Sequence, residues 1–292
     1  MCHLGTACYN SMERGAMFSN LIHHFLLAIS VLILFPDYAR ASAWVQPRAQ
    51  AEFTLNNFYY ETAEFYDLNG QKQDQGLFTK YAIKPYIEYG LTDRWTVVGS
   101  LELQRVKQKQ VGIYLSKENP GVADPEVFAR YHLFDWKDGT FSIEPSVKFM
   151  SHFRDNRVPK GGTSSMEYGV ALLHGQNFSL FGQNHYTDLR LEYVKRVAGL
   201  EDQYIAELRT GLSITDSFRL IPGVSMVKSV DLPQNQAFVA NGDIDYDLYK
   251  AELNSEYDIA NNLTLIAGGN LHVGGKNTGA GGGVNIGFRT RF

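Results

Sequence analysis

Hydrolytic chemistry needs a nucleophile, a base to take its proton and a group that orients the base, all within hydrogen-bond reach. The nearest arrangement of that kind here is Ser151-His152, just ahead of Asp155 and Asn156, in a stretch that reads as a surface loop. Such residues in a loop are usually just solvated, so no catalytic residue is assigned and the protein reads as a non-enzyme. His132, His174, His185 and His272 lie apart, without the spacing of metal ligands. Cys2 and Cys8 both fall in a segment marked for removal, which leaves no disulfide, thiolate metal site or Cys nucleophile. Neither a cofactor nor a metal is expected. What remains is charge at regular spacing. Lys80, Lys84, Arg130, Lys148, Arg190, Arg209, Arg219, Lys250, Arg289 and Arg291 fall on the polar faces of alternating segments. Glu88, Glu102, Glu126, Glu144, Glu167, Asp188, Glu192, Glu207, Glu252 and Glu256 match them on the same faces.

The elements that must position these charges begin after a leader. Phe25 to Phe35 is an apolar run too short to span a bilayer comfortably, with Arg14 before it and Ala41-Ser42-Ala43 after it. Basic residue, short apolar core and small-residue site describe a secretory signal peptide over residues 1–43, so the mature chain should begin near Trp44. Met12 and Met17 are alternative starts. The helix breaker Pro36 argues against an uncleaved anchor, and the lack of a Cys after the apolar run argues against a lipoprotein. Net charge of −4 shows no basic footprint for nucleic acid. Mean hydropathy of −0.23 does not exclude a bilayer, because a membrane barrel hides its apolar content in alternation.

From Ala49 onward the pattern gives twelve strands: 49–60, 77–89, 95–105, 125–134, 141–149, 164–173, 186–195, 203–214, 218–230, 244–257, 263–273 and 283–292. Pro85 is a blemish in the second, because it removes a ladder donor. Between His174 and His185 the pattern weakens, and Phe178-Ser179-Leu180-Phe181 reads as a loop that dips into an interface. Long polar connections are expected at Glu61–Gly76, Val106–Val122, Ser151–Thr163, Arg196–Asp202, Asp231–Asp243 and Gly274–Gly282. Short turns follow the second, fourth, eighth and tenth strands. Three of them share one plan, Asp or Asn followed by a large apolar residue, at Asp93–Trp95, Asp216–Phe218 and Asn261–Leu263.

The last ten residues, GVNIGFRTRF, set Val284, Ile286, Phe288, Thr290 and Phe292 against Gly283, Asn285, Gly287, Arg289 and Arg291. A chain that closes on an aromatic after such alternation resembles the final strand of a bacterial outer-membrane barrel. That resemblance implies that Phe292 is read by the outer-membrane assembly machinery. It also implies residence among outer-membrane lipid and lipopolysaccharide. An even strand number returns both termini to one side, and short turns in such barrels face the periplasm. The expected fold is therefore all-β, a transmembrane up-and-down antiparallel barrel of about twelve strands. Trp95, Phe218, Tyr89 and Tyr257 should form an aromatic girdle at the short-turn rim. The rival, a soluble β-sandwich or periplasmic carbohydrate-binding domain, fits the long–short alternation less well.

In such a barrel the charged faces point inward. Lys84, Glu88, Glu102, Arg130, Glu144, Lys148, Glu167, Arg190, Glu192, Glu207, Arg209 and Arg289 are the expected lumen-lining residues. A ladder of one sign would select ions of the other sign. A matched set instead builds cross-strand pairs that fill and stiffen the lumen, with room for a narrow passage beside them. A phospholipase-like barrel would need Ser and His two apart on a strand rim, and no His-x-Ser occurs in the mature chain. Segments around Tyr59-Tyr60-Glu61 with Glu64-Phe65-Tyr66-Asp67, Tyr86–Asp93 and Tyr186–Tyr193 resemble the XagA-like family of Gram-negative outer-membrane proteins. That resemblance implies a role linked to exopolysaccharide, with surface polysaccharide as a partner. It assigns no catalytic residue. The function expected is a small-solute channel or transport component. The alternatives are a non-conducting structural barrel supporting polysaccharide export or adhesion and, further off, a barrel hydrolase. Tyr66 and Tyr114 are expected to be exposed loop aromatics.

Overall fold

The computed structural model describes residues 43–109, 116–153, 162, 163, 165–197, 199–232 and 245–292. The expected leader lies outside them except for Ala43, as do Tyr114, Asp155 and Asn156. The chain forms β1 (Ala51–Tyr66), β2 (Lys72–Thr92), β3 (Trp95–Lys109), β4 (Ser116–Trp136) and β5 (Gly139–Lys148). It continues through a two-residue β6 (His152–Phe153), β7 (Glu167–Leu180), β8 (Gln183–Arg196), β9 (Gln203–Ser213) and β10 (Phe218–Ser229). The last elements are β11 (Asp247–Ala260), β12 (Leu263–Lys276), a two-residue β13 (Thr278–Gly279) and β14 (Gly282–Arg291). Setting aside β6 and β13, twelve long strands pair antiparallel in chain order, and β1 closes the ring against both β2 and β14. Phe53 faces Ile87 on one side and Thr290 on the other. Closure leaves no long strand edge unpaired, the condition a sheet must meet in hydrocarbon.

Burial is inverted relative to a water-soluble domain. In β1 the buried positions are Glu52, Thr54, Asn56, Phe58, Tyr60, Thr62 and Tyr66, while Ile87, Leu103, Val127, Leu172, Leu191, Leu208, Val224, Leu253 and Leu271 are exposed. A sandwich would bury those side chains between sheets. Here they form an apolar outer belt, which only a lipid environment satisfies. Exposed tyrosines recur at two heights. Tyr81 and Tyr89 in β2 are eight residues apart, and so are Tyr249 and Tyr257 in β11. Along strands tilted about 40°, that spacing separates the two levels by roughly 20 Å, close to the thickness of an apolar belt between two aromatic girdles. Trp95 stacks near Tyr131 at the short-turn level, with centroids 4.6 Å apart. The whole is a membrane-spanning barrel of the outer-membrane type.

The structure corrects the sequence reading in three places. The segment between His174 and His185 is a regular hairpin, with β7 and β8 paired from Glu167↔Arg196 to Leu180↔Gln183. Its turn is Phe181-Gly182, both with positive φ (52° and 77°), as a two-residue hairpin turn requires. A phenylalanine in that conformation is uncommon, so the usual Asn-Gly signature was absent. Phe181 is 94% exposed at the tip. Second, the connection expected at Glu61–Gly76 is mostly strand: β1 and β2 run on as a polar ribbon to a turn at residues 67–71. The same holds at Val106–Val122, where β3 and β4 extend and pair Val106 with Asn119. Each ribbon keeps its backbone ladder and an inward buried face, but polar side chains on its outer face remove the apolar alternation, so the sequence reads as loop. Third, Tyr66 is buried, and its hydroxyl donates to the His272 carbonyl at 3.1 Å.

Candidate functional site

Because side chains alternate across each strand, every second residue projects into the barrel. The interior is charged, and on one side it is dry. Arg130, on β4, is fully buried, with Nε donating to Glu144 at 2.9 Å and Nη2 to Glu88 at 3.2 Å. Glu144 on β5 also accepts from Arg190 on β8, reaching past β7. Arg190 Nε then donates to Glu192 at 3.0 Å. The Tyr86 hydroxyl donates to Glu88, and Tyr86 packs with Val98 and Phe128. Taking these charges out of water is costly, so each carboxylate holds its place only while its guanidinium remains.

Towards the long-loop end, Arg196 Nε donates to Glu167 at 3.2 Å and Nη1 to Asp245 at 3.0 Å. Lys148 lies 2.9 Å from the other oxygen of Glu167. Lys80 and Lys84 share Glu102, and the Lys84 ammonium sits 4.5 Å from the centroid of the Phe58 ring. Round the other side, Arg209 pairs with Glu252 at 2.8 Å and lies 3.6 Å from Glu207. Arg219 donates to Glu256 at 2.9 Å, Arg289 reaches both Glu256 and Glu52, and Arg291 donates to Glu52 at 2.9 Å. The twelve residues singled out in sequence thus lie inside the barrel, in several separate groups of ion pairs. Lys250 follows a register shift between Tyr249 and Lys250, which resets the inward alternation of β11. Phe292 is 72% exposed, its backbone paired with Ala51 at the short-turn rim.

The first strand, expected from Ala49, begins at Ala51. Residues 43–48 have no strand pattern in sequence, and alternation gave no sign of where they go. They run into the barrel from the short-turn end and lie across it. Ala49 N donates to the Gly90 carbonyl at 2.8 Å, and Gln46 binds Thr96 through its amide and Glu88 through its side chain, both at 2.7 Å. The Trp44 carbonyl accepts from Arg130 at 2.9 Å. Beyond it the Ala43 carbonyl accepts from Ser142 at 2.6 Å, and the Ala43 amide donates to Asp188 at 3.4 Å. The Trp44 ring meets Tyr186 edge-on, with centroids 6.0 Å apart, and lies over Gly175. A Cβ on Gly175 would fall 2.6 Å from that ring, so only glycine admits it. Gly90 and Thr96 belong to β2 and β3, whereas Asp188 belongs to β8, five strands round the ring from β2. The segment is a crossbar.

Beside the crossbar lies a cavity of about 540 Å³, bounded by Trp44 and Gln46 on one side and by Arg209, Arg219, Glu256 and Arg289 on the other. Of the hydrolytic cluster considered in sequence, only Ser151 and His152 are among the described residues. Ser151 Oγ pairs with Asp124 (3.4 Å to Oδ1), and His152 Nδ1 faces the Met150 carbonyl at 3.1 Å. The other histidines bond nearby backbone or carboxylate: His132 to Asp135, His174 to Thr140, His185 to Leu180 and His272 to Gly279. Among the described residues no group of His, Cys, Asp and Glu could hold a metal ion.

In architecture the chain is similar to the COG4313 outer membrane channel from Pseudomonas putida F1, with a TM-score of 0.67 and 16% identity over 88% of this chain and 100% of that one. It is also similar to the NanC porin, with a TM-score of 0.51 and 9% identity over 82% of this chain and 98% of that one. No protein-family model and no curated protein sequence matches the chain.

Proposed function

We propose that this barrel conducts small solutes across the outer membrane, through a passage that runs beside the crossbar rather than through the ionic lattice. The observation that carries this reading is the cavity of about 540 Å³ beside the crossbar, lined by residues of β1, β2, β7–β12 and β14 with polar groups of both signs and reaching Arg291 and Glu52 at the short-turn rim. Arg209, Arg219, Arg289 and Arg291 are matched in its lining by Glu52, Glu88, Asp188 and Glu256, a balance that favours small polar solutes over apolar ones. The printed descriptions of the two similar structures, a channel and a porin, support the same reading. Single-channel recording of the refolded mature protein in a planar bilayer tests it. Stable steps are expected, with ion selectivity shifted towards cations in Arg219→Ala and Arg289→Ala. A folded barrel that stays silent overturns it.

The lattice around Arg130 favours a second reading, a non-conducting barrel that acts through its outer loops. The resemblance to XagA-like proteins supports that role in surface polysaccharide export or attachment. In either reading the exposed Phe292 is the recognition element for the assembly machinery, and the apolar belt meets outer-membrane lipid and lipopolysaccharide.

A further inference from the structure

Asp188 differs from most acids of this interior; Asp247, also buried, likewise takes its hydrogen bond from an amide, Ser229 N at 3.1 Å. Glu88, Glu144, Glu192, Glu167, Asp245 and Glu252 each face an arginine within 3.2 Å. Asp188 is only 4% exposed, yet among the described residues it makes no ion pair. Its hydrogen bond comes from a neutral amide, Ala43 N, at a long 3.4 Å. Arg130 and Arg209 act on it only through space. A buried carboxylate held this way lacks the counter-charge that its neighbours have.

The backbone atoms beside it belong to the junction where the sequence places leader cleavage. Hydrolysis of the Ala43–Trp44 bond by a leader peptidase takes up one water, leaves the new carboxylate on the leader and frees the amine of Trp44. That amine takes up a proton at neutral pH. We propose that the α-ammonium of the processed chain is the missing partner of Asp188: it enters the space now filled by Ala43, between Ser142 Oγ and the carboxylate, and latches Trp44–Gln46 across the lumen. The unprocessed chain offers only an amide there. Leader removal therefore creates the charge that fixes the crossbar, and the site is specific for this chain's own amino terminus. The inference rests on the leader reading, and not on whether the barrel conducts.

The test is amine labelling of the folded, processed barrel in detergent. Intact mass first shows whether the chain begins at Trp44. Acylation needs the uncharged amine, so an ion-paired terminus reacts slowly. In the wild type the α-amine should acylate at least about tenfold more slowly than in Asp188→Asn, with Asp188→Glu restoring part of the protection. Should Asp188→Asn not fold, a chain carrying Gly-Ser-Gly ahead of Trp44 serves in its place, and its displaced amine should label at the fast rate. Equal rates in wild type and either variant would overturn the proposal, as would a mass that retains the leader. Conductance enters neither outcome, so a silent barrel leaves this result standing.

Discussion

The interior has two halves that solve the same problem differently. Beneath β2–β8, Arg130, Glu88, Glu144, Arg190 and Glu192 are buried, mutually bonded and covered by the crossbar. Beneath β9–β14, Arg209, Arg219, Arg289 and their glutamates pair along a wall but face a cavity. A charge with no access to water depends on every partner, whereas one beside a wet cavity can be resolvated when a partner is lost. The first half is therefore built for rigidity and the second, on the proposed function, for passage. The difference is one of exposure, greatest at Arg219 and Arg289, since both halves draw on the same residue types.

That contrast should appear most sharply in stability. Arg130→Ala leaves Glu88 and Glu144 buried without their shared guanidinium and removes the donor to the Trp44 carbonyl. It should cost about 3–5 kcal/mol, whereas Arg219→Ala, on the cavity side, should cost about 1 kcal/mol or less. Denaturant unfolding of the refolded barrels, followed by the loss of heat-modifiable gel mobility, measures both. Equal losses would mean that the two halves are hydrated alike.

A smaller effect is expected at the boundary between them. Gly175→Ala brings a Cβ into the space of the Trp44 ring. Overpacking of this kind costs about 1–3 kcal/mol, and the ring, which has no room beside a Cβ there, should be displaced. Single-channel steps larger than wild type would follow, with the unfolding midpoint falling less than in Arg130→Ala. An unchanged step size would mean that the crossbar does not limit the passage.

The smallest effect lies outside both halves and isolates the loop end from them. At the turn between β1 and β2, Asp67 accepts from the amides of Asn69 and Gln71 and from the Gln73 side chain. The Gln71 bond is the largest influence holding its carboxyl below the usual range. A depressed folded value contributes stability above the unfolded value of about 4, and that contribution is lost as pH falls through the folded value. Hydrogen exchange at Gln71 should therefore accelerate below about pH 4, with the barrel ladders unchanged, and Asp67→Asn should abolish that dependence.

Single residues show where the sequence was legible. Val284, Ile286 and Phe288 announced a lipid face because period two maps directly onto the two sides of a strand. The charges at Arg130, Glu144 and Arg190 were assigned to the interior by the same arithmetic. Phe128 and Val98, also interior, carry no charge to mark them and were found only by burial. The Phe181-Gly182 turn was missed because a non-glycine residue holds a left-handed position that local propensity disfavours. The far ends of β1–β4 were missed because polar ribbons outside the bilayer have no apolar outer face to alternate.

By itself, the sequence determined the strand number, the alternation and hence which side chains face lipid and which face inward, since these follow from local backbone geometry. Only the tertiary structure decided which inward charges meet. Arg190 reaches Glu144 past an intervening strand, and Ala43 reaches Asp188 across the ring, because closure of the sheet brings residues from distant strands into one low-dielectric space. No local pattern encodes such a meeting. It exists only once the barrel has closed around it.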